Sequence, residues 1–182
     1  TFSYETFNEL VSLNEGDNDL GFVFMSHEDE MFNPCFEIGF NFYAQIKNKQ
    51  EAAFQCCNLN ELNASACVTK HGKFSEEKFY DLCRKSAILG TLQAGYTDFP
   101  YLGKQTEEIV AGEALIGISI TGWMTRPELF DETILRKGAE IVKKTNKEVA
   151  RLIGIKLEAR TTTFKPSGNA SVKCKTASEI HQ

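Results

Sequence analysis

Apolar positions along the chain change their period several times, and each change predicts an element. After Ser75, the residues Phe79, Leu82, Cys83, Leu89 and Leu92 recur at helical spacing, which predicts a helix over 76–94. Ser75 is suited to cap it, with Glu76 and Glu77 in the first turn. The longest helix is predicted over about 132–153. Asp131 is its cap, and Ile134, Leu135, Ile141, Val142, Val149, Leu152 and Ile153 form one stripe. Gly154 is the expected residue just past its end. Shorter helices are predicted over 4–13 and 105–112. Between them lie runs of strand length. Gly21–Met25 reads as a strand buried on both faces, 38–42 alternates, 52–59 ends in two cysteines, 114–120 is Ile-rich, and 160–164 is β-branched. Polar stretches at 16–19, 47–50, 97–100 and 122–127 punctuate these elements, and the acidic 26–32 segment reads as a loop.

Composition narrows the class without deciding it. The chain has 182 residues, 42% apolar and 25% charged, with four prolines, which suits one globular domain or one piece of a larger one. No composition shift or internal repeat marks a second domain. A formal net charge of -5, with scattered Lys and Arg, argues against binding a nucleic-acid backbone. No apolar run approaches the roughly 20 residues that span a membrane. Six cysteines without a visible secretion signal suggest free thiols in a reducing cytoplasm. They form no CxxC pair, and the three histidines fall in no metal-ligand spacing, so no structural metal site is expected.

Two stretches carry candidate chemistry. In Asn33-Pro34-Cys35-Phe36-Glu37, a thiol lies midway between an amide and a carboxylate. An extended backbone would point Asn33, Cys35 and Glu37 the same way, while Pro34 favours a tight loop or strand edge. A carboxylate that takes a proton, an amide that holds a hydroxyl and a sulfur that is nucleophile or radical carrier can together work on a hydroxylated substrate. The same residues also suit a buried cysteine in a turn with a surface glutamate. The second stretch is Pro166-Ser167-Gly168-Asn169-Ala170-Ser171. It follows a strand, and its backbone N–H groups and hydroxyls can cradle an anion if a helix starts there. On its own it reads as an ordinary turn.

Taken together and in order, Asn33-x-Cys35-x-Glu37, Cys57-Asn58-Leu59 and Lys165-Pro166-Ser167-Gly168-Asn169-Ala170-Ser171 resemble the catalytic subunit of ribonucleotide reductases. Thr97–Leu102, Gly117–Trp123 and Thr176–His181 are similar to its adenosylcobalamin-dependent (class II) branch. The resemblance spans roughly 21–182. It implies an α/β fold: the C-terminal-central portion of a ten-stranded α/β barrel with a central finger loop. It also implies a cytoplasmic enzyme that reduces ribonucleoside di- or triphosphates, served by a thioredoxin-like or dithiol reductant. Cys35 would be the radical cysteine that abstracts the ribose 3′ hydrogen. Glu37 would be the general base on the 3′-hydroxyl, and Asn33 would hold the ribose hydroxyls. Cys57 would be a reducing cysteine. Pro166, Ser167, Gly168, Asn169 and Ala170 would form the phosphate loop.

The chain departs from that pattern in several places. Phe36 stands where class II members commonly carry Gly. The second cysteine of the reducing pair and the C-terminal cysteine pair have no counterpart, and vicinal Cys56 is too strained a partner for Cys57. The chain is therefore expected to be a single partial barrel domain, 1–182, that leaves strand edges exposed and needs the remainder of the catalytic chain. Two alternatives are a tyrosyl-radical (class I) large subunit and a non-catalytic remnant of the same fold.

Overall fold

The computed structural model describes residues 3–14, 31–40, 43–47, 49–158 and 160–181. The strand expected over 21–25 lies outside them. The chain groups into two compact units, Thr1–Glu30 and Met31–Gln182. In the first, helix α1 (Tyr4–Asn14) matches the expected span. Ser3 caps it: its Oγ accepts the Thr6 N–H at 3.1 Å, satisfying a donor that the first helical turn leaves free.

The second unit begins with two small antiparallel hairpins. Strand β1 (Met31–Phe32) pairs with β2 (Gly39–Phe40), and β3 (Tyr43–Ile46) pairs with β4 (Lys49–Ala52). The expected strand over 52–59 is displaced. Residues 53–57 have no ladder, and the strand β5 (Asn58–Asn63) starts where the expectation ended. Asn58 anchors that start, because its N–H and its Nδ2 both donate to the Leu115 carbonyl, at 3.3 and 3.0 Å. The polar pattern Asn-Leu-Asn-Glu-Leu-Asn hid the strand, since only Leu62 faces an apolar core.

Helix α2 (Glu76–Ala94) has the bounds expected, and Ser75 Oγ accepts the Lys78 N–H at 3.3 Å. Helix α3 (Lys104–Glu113) then leads into β6 (Ile116–Thr121), which runs parallel to β5, with Asn58 opposite Ile116 and Asn63 opposite Thr121. Helix α4 (Glu132–Ile153) is capped by Asp131, whose Oδ1 accepts the Ile134 N–H at 2.9 Å. It ends at Gly154, whose φ of 76° an L side chain rarely adopts. The expected strand over 160–164 is reduced to one parallel bridge, Thr162 to Ile118. Helix α5 (Asn169–Cys174) closes the order.

α2 covers one face of the β5–β6 sheet, and α4 packs along α2. Phe79, Cys83, Ala87, Leu62, Ile116, Ile118, Phe130 and Val142 form the core there. Small residues set the close approach. A Cβ on Gly90 would stand 3.1 Å from Ile118 Cδ1, and one on Gly138 would stand 2.9 Å from the Phe79 ring. The expected helical stripes are partly corrected. Leu89 and Leu92 are half exposed, and Leu152 is 84% exposed. The buried faces run instead through Ser86, Gly90 and Thr91 on α2, and Gly138, Thr145 and Asn146 on α4. Packing favours small side chains where helices lie close, so hydrophobicity alone misplaces the seam.

Candidate active site

The Asn33–Glu37 stretch is the loop of the β1–β2 hairpin, not an extended strand. Phe36 N–H donates to the Asn33 carbonyl at 2.9 Å, closing a turn over Pro34 and Cys35. Pro34 fits this turn, as its sequence context suggested. Asn33 is buried, and its Oδ1 accepts the Ile38 N–H at 3.0 Å, so one end of the amide holds the loop itself. Phe36 sits at φ 57°, in the left-handed region that favours Gly. Its ring packs against Phe32, with centroids 5.9 Å apart. The alternation argument for Asn33, Cys35 and Glu37 therefore fails, and a turn decides their directions.

Cys35 is exposed on this turn. Glu37 is half-buried, and both its carboxylate oxygens are buried without a hydrogen-bond partner. Its backbone carbonyl accepts the Thr163 hydroxyl at 3.2 Å, tying the hairpin to the 160–164 segment. Cys57 precedes β5 and is half-buried. Burial pushes its thiol above the ordinary range. The charge of Glu37 is the next contribution upward, and Cys56 and Cys35 add smaller ones. The hairpin thus brings Glu37 and Cys35 within electrostatic reach of Cys57. The other buried thiols belong to packing. Burial raises Cys67 to about 11 and Cys83 to about 12, and both lie in the helical core.

A cavity of about 650 Å³ runs from the hairpin to α4: Glu37, Phe164 and Glu179 line one part, and Leu62, Ile118 and Val142 of the helical side line another. The 166–170 loop leads into α5, so a helix does start there. Ser167 is buried, and its Oγ has no partner. The N–H groups of Ser167, Gly168 and Ala170 are given to the carbonyls of Lys165, Pro166 and Ser167.

Sequence reasoning assigned no role to three charged residues at the sheet, Glu61, Lys165 and Glu179. Lys165 Nζ is ion-paired with Glu61 Oε1, and both are largely buried. Glu179 is 2% exposed. Its Oε1 accepts the Ile120 N–H at 2.9 Å, and its Oε2 accepts the Lys165 N–H at 3.2 Å. Burial raises its carboxyl to about 7. For Lys165, a charge between Phe164 and Pro166 was the available signal; Glu61 and Glu179 each have a polar neighbour, and the displaced β5 left Glu61 without a face. Among the described residues, no group of three His, Cys, Asp or Glu side chains could hold a metal ion. No helix among them is long and apolar enough to cross a membrane.

No family model matches the chain, and no curated protein is similar to it in sequence. Among solved structures, it is similar to the crystal structure of a B12-dependent (class II) ribonucleotide reductase. The TM-score is 0.54 at 22% identity, over 83% of this chain. The chain spans 22% of that reductase chain. The likeness shows the fold: a mixed α/β arrangement shared with one part of a ribonucleotide reductase.

Proposed function

We propose that the chain is the part of a ribonucleotide reductase catalytic barrel that carries the reacting groups, and that it acts when the remaining strands complete it. One observation carries this reading: the Glu37 carboxylate is buried beside an open cavity with neither oxygen partnered. An unpaired buried carboxylate is costly, and a substrate hydroxyl would relieve that cost while giving Glu37 a proton to take. The shared fold and the ordered motifs support the same reading.

In it, Glu37 accepts the ribose 3′-hydroxyl proton as Cys35, in its thiyl form, takes the 3′ hydrogen. Cys57 keeps its proton at neutral pH because its thiol is raised, so it can deliver a hydrogen as the 2′-hydroxyl leaves as water. The second reducing equivalent needs a further thiol from the completing portion. Asn33 fixes the loop and presents its amide to the ribose. Ser167 and the first turn of α5 would meet the substrate's phosphates. Cys35, exposed on the hairpin turn, suits a cofactor that must reach its sulfur. Adenosylcobalamin, when bound, supplies the oxidising equivalent for that thiol.

The test is deoxynucleotide formation with the completing chain, adenosylcobalamin and a dithiol supplied. Product is expected, with none from Cys35→Ala and a loss on the order of a hundredfold or more from Glu37→Gln. Product that persists in Cys35→Ala would overturn the reading.

A further inference from the structure

Strand β6 and the 160–165 segment begin a parallel ladder and then part. Ile118 N–H donates to the Thr161 carbonyl at 3.0 Å, and Thr163 N–H donates to the Ile118 carbonyl at 3.1 Å. Parallel ladders space their bonds evenly, so the next two would run from Ile120 N–H to the Thr163 carbonyl and from Lys165 N–H to the Ile120 carbonyl. Neither forms. Both N–H groups go to the two oxygens of one carboxylate, Glu179, at 2.9 and 3.2 Å. The carboxylate occupies the place of two ladder bonds and leaves no buried donor orphaned.

From this we infer that Glu179 is a positioning residue: its carboxylate splits the ladder after Thr163 and sets the direction in which the 165–168 turn presents the phosphate loop. The inference rests on reading 166–170 as that loop. Glu179 is itself held in place. Gly122 N–H donates to the Ala177 carbonyl at 2.8 Å, and Met124 N–H donates to the Ser178 carbonyl at 3.2 Å, fixing the segment before it. The Lys165 side chain is fixed separately by its ion pair with Glu61, so the turn is held through both backbone and side chain. Glu179 also lines the cavity that Glu37 borders, which places the ladder split beside the proposed substrate space.

The experiment uses the 182-residue chain with the completing catalytic chain supplied. Amide hydrogen exchange is measured by NMR for wild type, Glu179→Gln and Glu179→Ala, and binding of CDP, CTP and cytidine is measured for each. In Glu179→Ala, the Ile120 and Lys165 amides should exchange at least about tenfold faster while α2 amides hold their protection. Glu179→Gln keeps the shape and one accepting oxygen, so one of the two amides should stay protected. It guards against an alanine variant that fails to fold. CDP and CTP affinity should fall about tenfold in both variants, with cytidine affinity unchanged. Unchanged exchange at both amides in Glu179→Ala would overturn the ladder split. Lost protection with unchanged CDP and CTP affinity would overturn the positioning role. A wild-type chain that binds the phosphorylated and unphosphorylated ligands equally would instead overturn the reading of the loop, and the inference with it.

Discussion

The two faces of the β5–β6 sheet follow opposite rules. Toward the helices, Leu62, Ile116 and Ile118 meet Phe79, Cys83 and Val142, and the buried hydroxyl of Thr91 is bonded twice. It donates to the Ala87 carbonyl at 2.7 Å and accepts from Asn146 Nδ2 at 2.9 Å. On the opposite face, strand alternation places Glu61, Ser119 and Thr121, with Lys165 reaching across to Glu61. There Glu61 Oε2, Ser119 Oγ and Thr121 Oγ1 are buried without a partner. One face spends its buried area on stability. The other gathers several unmet polar atoms, which a fold retains at a cost, whereas the helical seam leaves Asn146 Oδ1 unmet among well-bonded neighbours.

The helical face should therefore dominate stability. Phe79 is 1% exposed and packs its ring against Phe74, Tyr80 and Phe130. Phe79→Ala should cost about 3–5 kcal/mol in urea unfolding. That is a large share of the roughly 5–15 kcal/mol that holds a typical domain. A loss below about 1 kcal/mol would mean that the chain's stability does not reside on this face.

The sheet edge, where Glu179 replaces ladder bonds, should instead show itself through pH. Burial raises the Glu179 carboxyl from 4.5 to about 7, and Glu61 adds a smaller push. The Ile120 and Lys165 N–H groups and the Lys165 ammonium pull it down without cancelling the rise. The folded chain thus holds this proton to higher pH than the unfolded chain does. Between about pH 4.5 and 7 the native state binds more protons, so this group's effect is to lower stability as pH rises through that window. The slope is at most about 1.4 kcal/mol per pH unit. Above the window the penalty is complete, and below it the penalty vanishes. Urea midpoints of wild type and Glu179→Gln, compared from pH 4 to 8, should converge in slope outside the window and differ inside it. Parallel curves throughout would show that Glu179 does not titrate there.

How far the sequence revealed this structure follows the same division. Helices α2 and α4 were legible because their caps, Ser75 and Asp131, and the glycine after α4 are local signals that tertiary packing did not override. The seam was less legible, because Gly90 and Gly138 face it while Leu89 and Leu152 do not. Strand β5 is masked in the sequence because Asn58 and Asn60 share the face of the single buried Leu62, while Leu59 shares the other face with Glu61 and Asn63. In the hairpin, the residue types at 33, 35 and 37 were informative but their geometry was not. A turn replaced the expected alternation, and Phe36 took a backbone conformation that its side chain does not announce. Glu179 lies in the Thr176–His181 stretch with no role readable from sequence, because a carboxylate that replaces two ladder bonds is visible only once both segments are in register.

The smallest effect is also the sharpest comparison. Ser119 and Thr91 are both fully buried hydroxyl residues, one on each face. Removing a bonded hydroxyl strands its partners, so Thr91→Val should cost about 1–3 kcal/mol by leaving the Asn146 amide without its acceptor. Removing an unbonded one strands nothing and relieves a desolvated group. Ser119→Ala should therefore stay within about 0.5 kcal/mol of wild type, and a gain would be in keeping. Paired urea titrations at one pH would measure both. If Ser119→Ala cost as much as Thr91→Val, the Ser119 hydroxyl must already be satisfied, by ordered water for example. The Ser119 hydroxyl would then no longer count toward the unmet polar capacity that separates the two faces.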